Sequence, residues 1–471
     1  MNNKKFEKNA HIVIDWIVDY FEEIKKYPVK SLVKPREIFN KLPDKPPIEG
    51  EKFSKILNDF KKIILPGITH WQHPSFHAFF PANNSFPSIL AEILTATLGA
   101  QCMMWDTSPA AAELEEKVLG WLKEKLGIPD SWSGIINDTA SSGTLTSLLT
   151  AREVKSNYLT NKNGIENNLF TVYTSNEAHS SIEKAVKIIG IGNQKLRKVK
   201  VNNDLSMNID DLDSKIKQDI NKGKIPLAVI STFGTTGTVA IDPISEIELI
   251  AKKYKILHHI DAAYAGSALL LSKYHKYIKN IELADSFLFN PHKWMLTNFD
   301  CSIYYIKNKK ALIKTFEIYP EYLKTKSKNV NNYKDWGIQL GRRFRSLKLW
   351  FVIKSYGIKG IKKILKKHIN LAKSLNKIIK NEKDFEITAK QNFNMINFRY
   401  KPLITKKETY LNKINKILIE KLNNSGKIYL THTMIKRIYS IRMPIGNTLT
   451  EQKDIELSWK LIKNTARSIR L

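Results

Sequence analysis

Between residues 134 and 306 the chain alternates between two periodicities, and this alternation constrains its fold more than any other feature. Short apolar runs at 134–138, 169–174, 226–232, 256–261, 286–289 and 302–306 read as strands. Between several of them lie helical stretches, ending near Glu153, spanning about 180–189 and beginning after Pro243. Near-continuous apolar strands are buried on both faces, and a helix between successive strands carries the chain back to start a parallel neighbour. The spacing therefore predicts an α/β fold whose central sheet is mostly parallel, with helices on both faces. Ligands of such sheets collect at the carboxyl ends of the strands. Residues that end or follow a strand are where chemistry is to be sought.

Two such residues belong together. Asp261 ends the run 256–261 and is followed by Ala262-Ala263-Tyr264-Ala265-Gly266. Lys293 follows the run 286–289, within Asn290-Pro291-His292-Lys293-Trp294. A lysine flanked by apolar residues often only snorkels. One that is desolvated has a lowered pKa and a free lone pair for carbonyl chemistry. An aspartate delivered by a strand and followed by small residues is what pyridoxal phosphate (PLP) needs opposite such a lysine. The carboxylate keeps the pyridine nitrogen protonated, and the small residues let backbone lie against the ring. Other turns fit the same reading. Thr139-Ala-Ser-Ser-Gly-Thr144, between strand and helix, could cradle a phosphate, although alone it would pass for an ordinary helix cap. His179 and Thr236 also follow strands and open turns.

Around this block the chain divides into 1–85, an N-terminal helical arm; 86–360, the large α/β domain; and 361–471, a smaller α+β domain. Helical spacing at 11–26 and 53–64 brackets a proline-rich arm at 28–51. Such a unit has little core of its own and is expected to clasp another subunit. The aromatic stretch 69–82 holds His70, His73 and His77, but Pro74 interrupts them and no carboxylate or cysteine joins them. No metal site is expected there. The polar stretch 321–334 reads as a mobile loop, and a long helix begins at 340.

The 76 basic and 45 acidic residues give a net charge of +31. That balance would suit a polyanion-binding protein. The lysines, however, are scattered rather than gathered into one basic and aromatic motif, so no nucleic-acid partner is expected. Two cysteines imply no disulfide framework. The first apolar run, 12–21, is broken by Asp15 and Asp19, and no run is long enough for a membrane span. A cytoplasmic protein is the expectation.

Four stretches in this order carry a family resemblance: Asn-Glu-Ala-His-Ser-Ser (176–181), His-Ile-Asp-Ala-Ala-Tyr-Ala-Gly (259–266), Asn-Pro-His-Lys-Trp (290–294) and Gly-Arg-Arg-Phe-Arg-Ser-Leu-Lys (341–348). From about residue 70 to 466 the chain resembles the group II PLP-dependent amino-acid decarboxylases, in particular those acting on aromatic L-amino acids. The resemblance implies a fold-type I enzyme and a homodimer with shared active sites. It makes Lys293 the Schiff-base lysine and Asp261 the partner of the pyridine nitrogen. It assigns Ala140, Ser141 and Asn290 to the phosphate, His179 and Ala263 to the two faces of the ring, and Thr236 to a place beside it. Tyr333 matches the tyrosine of a mobile catalytic loop. Trp71, Phe79, Phe80, Pro81, Ala82 and Met103, with His179, match the substrate pocket.

The implied reaction converts tryptophan, phenylalanine, tyrosine or a related amino acid to its amine and carbon dioxide. Members acting on hydroxylated substrates often have tyrosine, threonine and phenylalanine at the positions of Phe79, Ala82 and Met103, which favours a substrate without a catechol. An aromatic aldehyde synthase, releasing hydrogen peroxide and ammonia, and a decarboxylase of non-aromatic amino acids remain the alternatives.

Overall fold

In the strand Phe170–Ser175, Val172 and Tyr173 point to opposite faces and enter different cores. Val172 packs with Leu148, Ile182, Val186 and Ile230, whereas Tyr173 packs with Val199, Leu212, Ile216 and Val229. Period-two alternation in an unbroken apolar run thus places a helical layer on each side. The computed structural model describes residues 1–318, 329–404 and 407–469.

Strand β1 is Phe76–His77. The next strands are β2 (Ser133–Asn137), β3 (Phe170–Ser175), β4 (Leu196–Val199), β5 (Ile225–Thr232), β6 (Leu257–Asp261), β7 (Ser286–Phe289) and β8 (Ser302–Ile306). Then follow β9 (Phe385–Ile387), β10 (Met395–Tyr400), β11 (Tyr429–Ile435) and β12 (Ile438–Pro444). The chain forms two compact units.

One unit comprises Ala82–Asn370 and Ala389–Ile396. Its sheet runs β2-β8-β7-β6-β5-β3-β4. The β4–β3, β3–β5, β5–β6 and β6–β7 pairs are parallel, while β8 is antiparallel to both β7 and β2. The mostly parallel sheet with helices on both faces is what the strand–helix alternation predicts. Strand β4 is an addition to that reading. Arg197 and Lys198 sit at its centre, a pattern unlike a buried strand, and it lies at the sheet's edge, where basic side chains are tolerated.

The other unit comprises Met1–Pro81, Leu371–Thr388 and Asn397–Leu471. Its sheet runs β1-β11-β12-β10-β9. Part of the aromatic stretch expected as a loop is strand β1, which pairs in parallel with β11 through Phe76↔Tyr429 and His77↔Leu430. Strand β11 escapes the sequence reading because His432 and Met434 point to solvent, which dilutes its apolar pattern. The first helix, Asn3–Glu22, starts well before the expected 11 because Asn2 caps it, its side chain accepting from the Lys5 N–H at 3.0 Å.

His70, His73 and His77 are buried, and each ring has a packing partner. The Tyr20 hydroxyl lies 2.9 Å from His70 Nδ1, the Ser75 N–H donates to His73 Nδ1, and His77 Nδ1 bonds the Pro444 carbonyl. Burial pushes the pKa values of His73 and His77 down to about 4. Among the described residues no helix is long and apolar enough to cross a membrane.

Candidate active site

Strands β6 and β7 are parallel neighbours in the register Asp261↔Leu288, so their carboxyl ends lie side by side. Pairing continues past both strands: the Ala262 N–H donates to Leu288 O and the Asn290 N–H to Ala263 O, each at 3.0 Å. Asn290 then caps the single helical turn Pro291–Trp294, which carries Lys293. The Asp261 carboxylate is buried and accepts the Ala263 N–H at 2.9 Å.

The turn bearing Lys293 is fixed by its neighbours. Trp294 stacks on Tyr264 with centroids 5.3 Å apart, and its indole N–H donates to His368 Nδ1 at 3.0 Å. Asn394 donates to the Tyr264 hydroxyl at 2.6 Å. The Cys301 N–H donates to His292 Nδ1 at 2.9 Å. Gly266 permits the close approach of the two strand ends, since a Cβ there would lie 2.3 Å from Phe289 Cβ and 3.2 Å from Ala262 Cβ. Gly266→Ala is therefore expected to destabilise the fold by about 1–3 kcal/mol, as overpacking does. A thermal melt of the purified variant checks this, and an unchanged melting temperature would refute the packing argument.

His179 follows β3 at the same edge. Its Nδ1 accepts the Ser181 N–H at 3.1 Å and lies 2.8 Å from Ser181 Oγ, so the neutral ring carries its proton on Nε2. Burial lowers its pKa below the ordinary histidine value, Asp261 raises it and Lys293 lowers it. The three side chains therefore share one electrostatic neighbourhood.

Thr236 lies on the turn after β5. There Gly234, at φ 96°, packs so closely on the turn after β6 that a Cβ would lie 2.6 Å from Ala265 Cβ. Fully buried Asp242 pins the end of β5, accepting the Thr232 and Met207 N–H groups at 2.7 Å each, and burial pushes its pKa up to about 7. Asp242 is absent from the sequence reading, which contains no signal for it beyond its type.

β2 runs in the same direction as β7, each being antiparallel to β8, so its carboxyl end shares this edge. Helix Ala140–Lys155 opens there, and Thr139 makes no side-chain capping bond. The first-turn N–H groups of Ala140 and Ser141 thus stand at the positive end of the helix dipole, suited to an anion. The Ser302 hydroxyl donates to Asn290 Oδ1 at 2.7 Å and fixes that amide. An anion cradle, a buried carboxylate and a lysine amine at one sheet edge match the phosphate, ring nitrogen and aldehyde of PLP.

Of the residues matched to the substrate pocket, Ala82 and Met103 lie in this unit, where the Met103 carbonyl accepts the Lys334 N–H at 2.9 Å. Trp71, Phe79, Phe80 and Pro81 belong to the other unit. There the rings of Trp71 and Phe79 stack 5.8 Å apart, both partly exposed, and the Arg442 guanidinium lies 5.2 Å from the Phe80 ring.

Tyr333, the matched loop tyrosine, lies in the same unit as Met103. It is 2% exposed and packs in a core with Ile135, Leu288, Tyr304 and Trp336, its ring 4.6 Å from the Arg342 guanidinium. Burial raises its phenol pKa well above the usual value. The rest of the expected loop, 321–328, lies outside the described residues, together with Tyr322, the other tyrosine of that stretch.

The family model for the pyridoxal-dependent decarboxylase conserved domain matches residues 35–401. A tyrosine decarboxylase of Papaver somniferum is 38% identical over 490 residues, covering 99% of this chain and 95% of the relative. A phenylacetaldehyde synthase of Petunia hybrida is also 38% identical, over 484 residues with the same coverage of each. The structure of Catharanthus roseus tryptophan decarboxylase in complex with L-tryptophan superimposes with a TM-score of 0.93 at 34% identity, covering 99% of each chain. With its lysine, aspartate and anion cradle gathered at one sheet edge, the chain belongs to the pyridoxal-dependent decarboxylases, carboxy-lyases that use PLP to act on amino acids.

Proposed function

We propose that this enzyme removes the α-carboxylate of an aromatic L-amino acid, releasing the amine and carbon dioxide. The convergence of Lys293, Asp261 and His179 on one sheet edge carries the chemistry. An aromatic side chain is supported by the tyrosine decarboxylase and the tryptophan decarboxylase among the relatives.

Bound PLP supplies an electron sink for the charge left as carbon dioxide departs. Lys293 would hold the cofactor through Nζ. Asp261 would keep a proton on the ring nitrogen. The Ala140 and Ser141 N–H groups, with Asn290, would bind the phosphate, with Thr236 beside the ring. Ala263 would line one face of the ring. His179, its Nδ1 committed to Ser181, would offer Nε2–H to the other face and to the substrate carboxylate. Ala82 and Met103 complete a pocket without a hydroxyl for a catechol, so tryptophan, phenylalanine or tyrosine is the expected substrate.

A homodimer is supported by apolar side chains left exposed on two helices: Phe86, Leu90, Ile93, Leu94 and Leu98 on Phe86–Leu98, and Phe6, Ile12, Ile14 and Val18 on Asn3–Glu22. A reducing cytoplasmic setting accords with Cys102 and Cys301, both buried and unpaired with each other.

The second reading, an aldehyde synthase, is favoured by the phenylacetaldehyde synthase at the same 38% identity. Product analysis with PLP and a panel of aromatic and acidic L-amino acids decides between them. Amine without peroxide supports the decarboxylase, aldehyde with peroxide and ammonia supports the synthase, and turnover confined to acidic substrates overturns both. Protonation at Cα is assigned to Tyr333, the matched tyrosine of the catalytic loop. Tyr333→Phe is expected to divert product from amine towards aldehyde and peroxide, and amine at the full rate would remove Tyr333 from that role.

A further inference from the structure

Among the described residues β2 is an outer strand of the large sheet, paired on one side only, to β8. On its open side the backbone groups of Ile136 are taken by two side chains. Glu115 Oε1 accepts the Ile136 N–H at 2.8 Å, and Arg342 Nη2 donates to Ile136 O at 2.9 Å. The same Nη2 donates to Glu115 Oε1 at 2.7 Å, closing a ring of contacts that does the work of a missing neighbouring strand. Both side chains are buried, at 3% and 4% exposure. A buried ion pair is a weak source of stability, because desolvation consumes most of its Coulombic gain. It does fix geometry, since each charged group has one place where all its hydrogen bonds are met.

What is fixed here is the approach to the helix start. Past Ile136 the chain runs through Asn137, Asp138 and Thr139 into Ala140 and Ser141. Arg342 is itself held from other directions: its carbonyl accepts the Cys102 N–H at 3.0 Å, and its guanidinium lies against the Tyr333 ring.

We propose that Glu115 and Arg342 are positioning residues for the cofactor phosphate, setting the level of β2 so that the Ala140 and Ser141 N–H groups meet it. This rests on the reading of Ala140 and Ser141 as the phosphate site. A structural pair would affect every ligand of the fold alike, whereas a positioning pair for the phosphate acts only on ligands that carry one.

The test compares binding of PLP with binding of pyridoxal, which has the ring and aldehyde but no phosphate, to full-length protein freed of cofactor. Glu115→Gln keeps an acceptor for Ile136 but loses the charge facing Arg342, and Arg342→Lys keeps a charge but loses the fork. Each is expected to weaken PLP binding about tenfold, the scale of one disturbed charged hydrogen bond, with pyridoxal affinity unchanged within about twofold. The pair Glu115→Gln with Arg342→Gln removes both charges together while keeping an acceptor and a donor type for Ile136, guards against an unpaired buried charge in the single variants, and should give the same selective loss. Equal weakening of both ligands, or no weakening of PLP, overturns the proposal. Ser141→Glu, which sets a carboxylate in the cradle, tests the underlying reading: it should weaken PLP and spare pyridoxal. If it spares both, the turn does not hold the phosphate and the proposal falls with that reading, whatever the clamp variants do.

Discussion

Lys293→Ala is expected to reduce amine formation by about four orders of magnitude, the upper end of what one proton-transferring or nucleophilic group contributes. Its neighbours should tolerate the change. Lys293 is only partly buried, while the turn around it is held by Trp294 on Tyr264, by His292 on Cys301 and by Asn290 on Ala263. The variant should therefore fold and still take up PLP through the phosphate cradle, without the absorbance of the lysine-linked cofactor. Single-turnover product analysis beside an absorbance spectrum checks both. Activity above about one per cent of the parent would remove Lys293 from the anchoring role.

Asp261→Asn is expected to lower kcat by roughly 10²- to 10³-fold, the usual cost of removing one preorganised electrostatic partner. The substitution is nearly isosteric, and its remaining oxygen can still accept the Ala263 N–H. What disappears is the negative charge beside the ring nitrogen. An N-methylated cofactor analogue, with a permanent positive charge at that nitrogen, should recover part of the loss. No recovery and no loss of activity in the variant would both contradict the assignment. A second readout has a definite sign. Asp261 raises the His179 pKa, so removing its charge lowers that pKa further, and the imidazole stays neutral to a lower pH. Any acid limb of kcat/KM that belongs to His179 should then move to lower pH.

Residues whose surroundings are set by nearby sequence were legible in advance. Asp261 ends a run of buried strand residues, and Lys293 follows another, so period and position alone put them at the same sheet edge. The family resemblance added their roles. β4 and β11 were not legible because Arg197 and Lys198 in one, and His432 and Met434 in the other, occupy positions that only an edge or an open face permits.

The polar stretch around Tyr333 shows another limit. Asn332 Oδ1 accepts the Trp105 N–H in a part-buried bond across the chain. A polar side chain satisfied by a partner far away in sequence looks the same as one facing water. The clamp of Glu115 and Arg342 was hidden likewise, its two residues lying far apart along the chain and meeting only at Ile136.

The pairing of β1 with β11 bears on how the chain is made. Phe76 and His77 leave the ribosome about 350 residues before Tyr429 and Leu430, the residues they pair with. At about 5–20 residues per second the wait is on the order of tens of seconds. Throughout it, Trp71, Phe76 and Phe79 have no strand to receive them. The other unit, by contrast, has nearly all its sequence by Asn370 and can form its sheet while the chain is still growing. Nascent chains should therefore pass through a stage with the large sheet formed and the aromatic segment 71–79 unsheltered, which is where a chaperone would be needed.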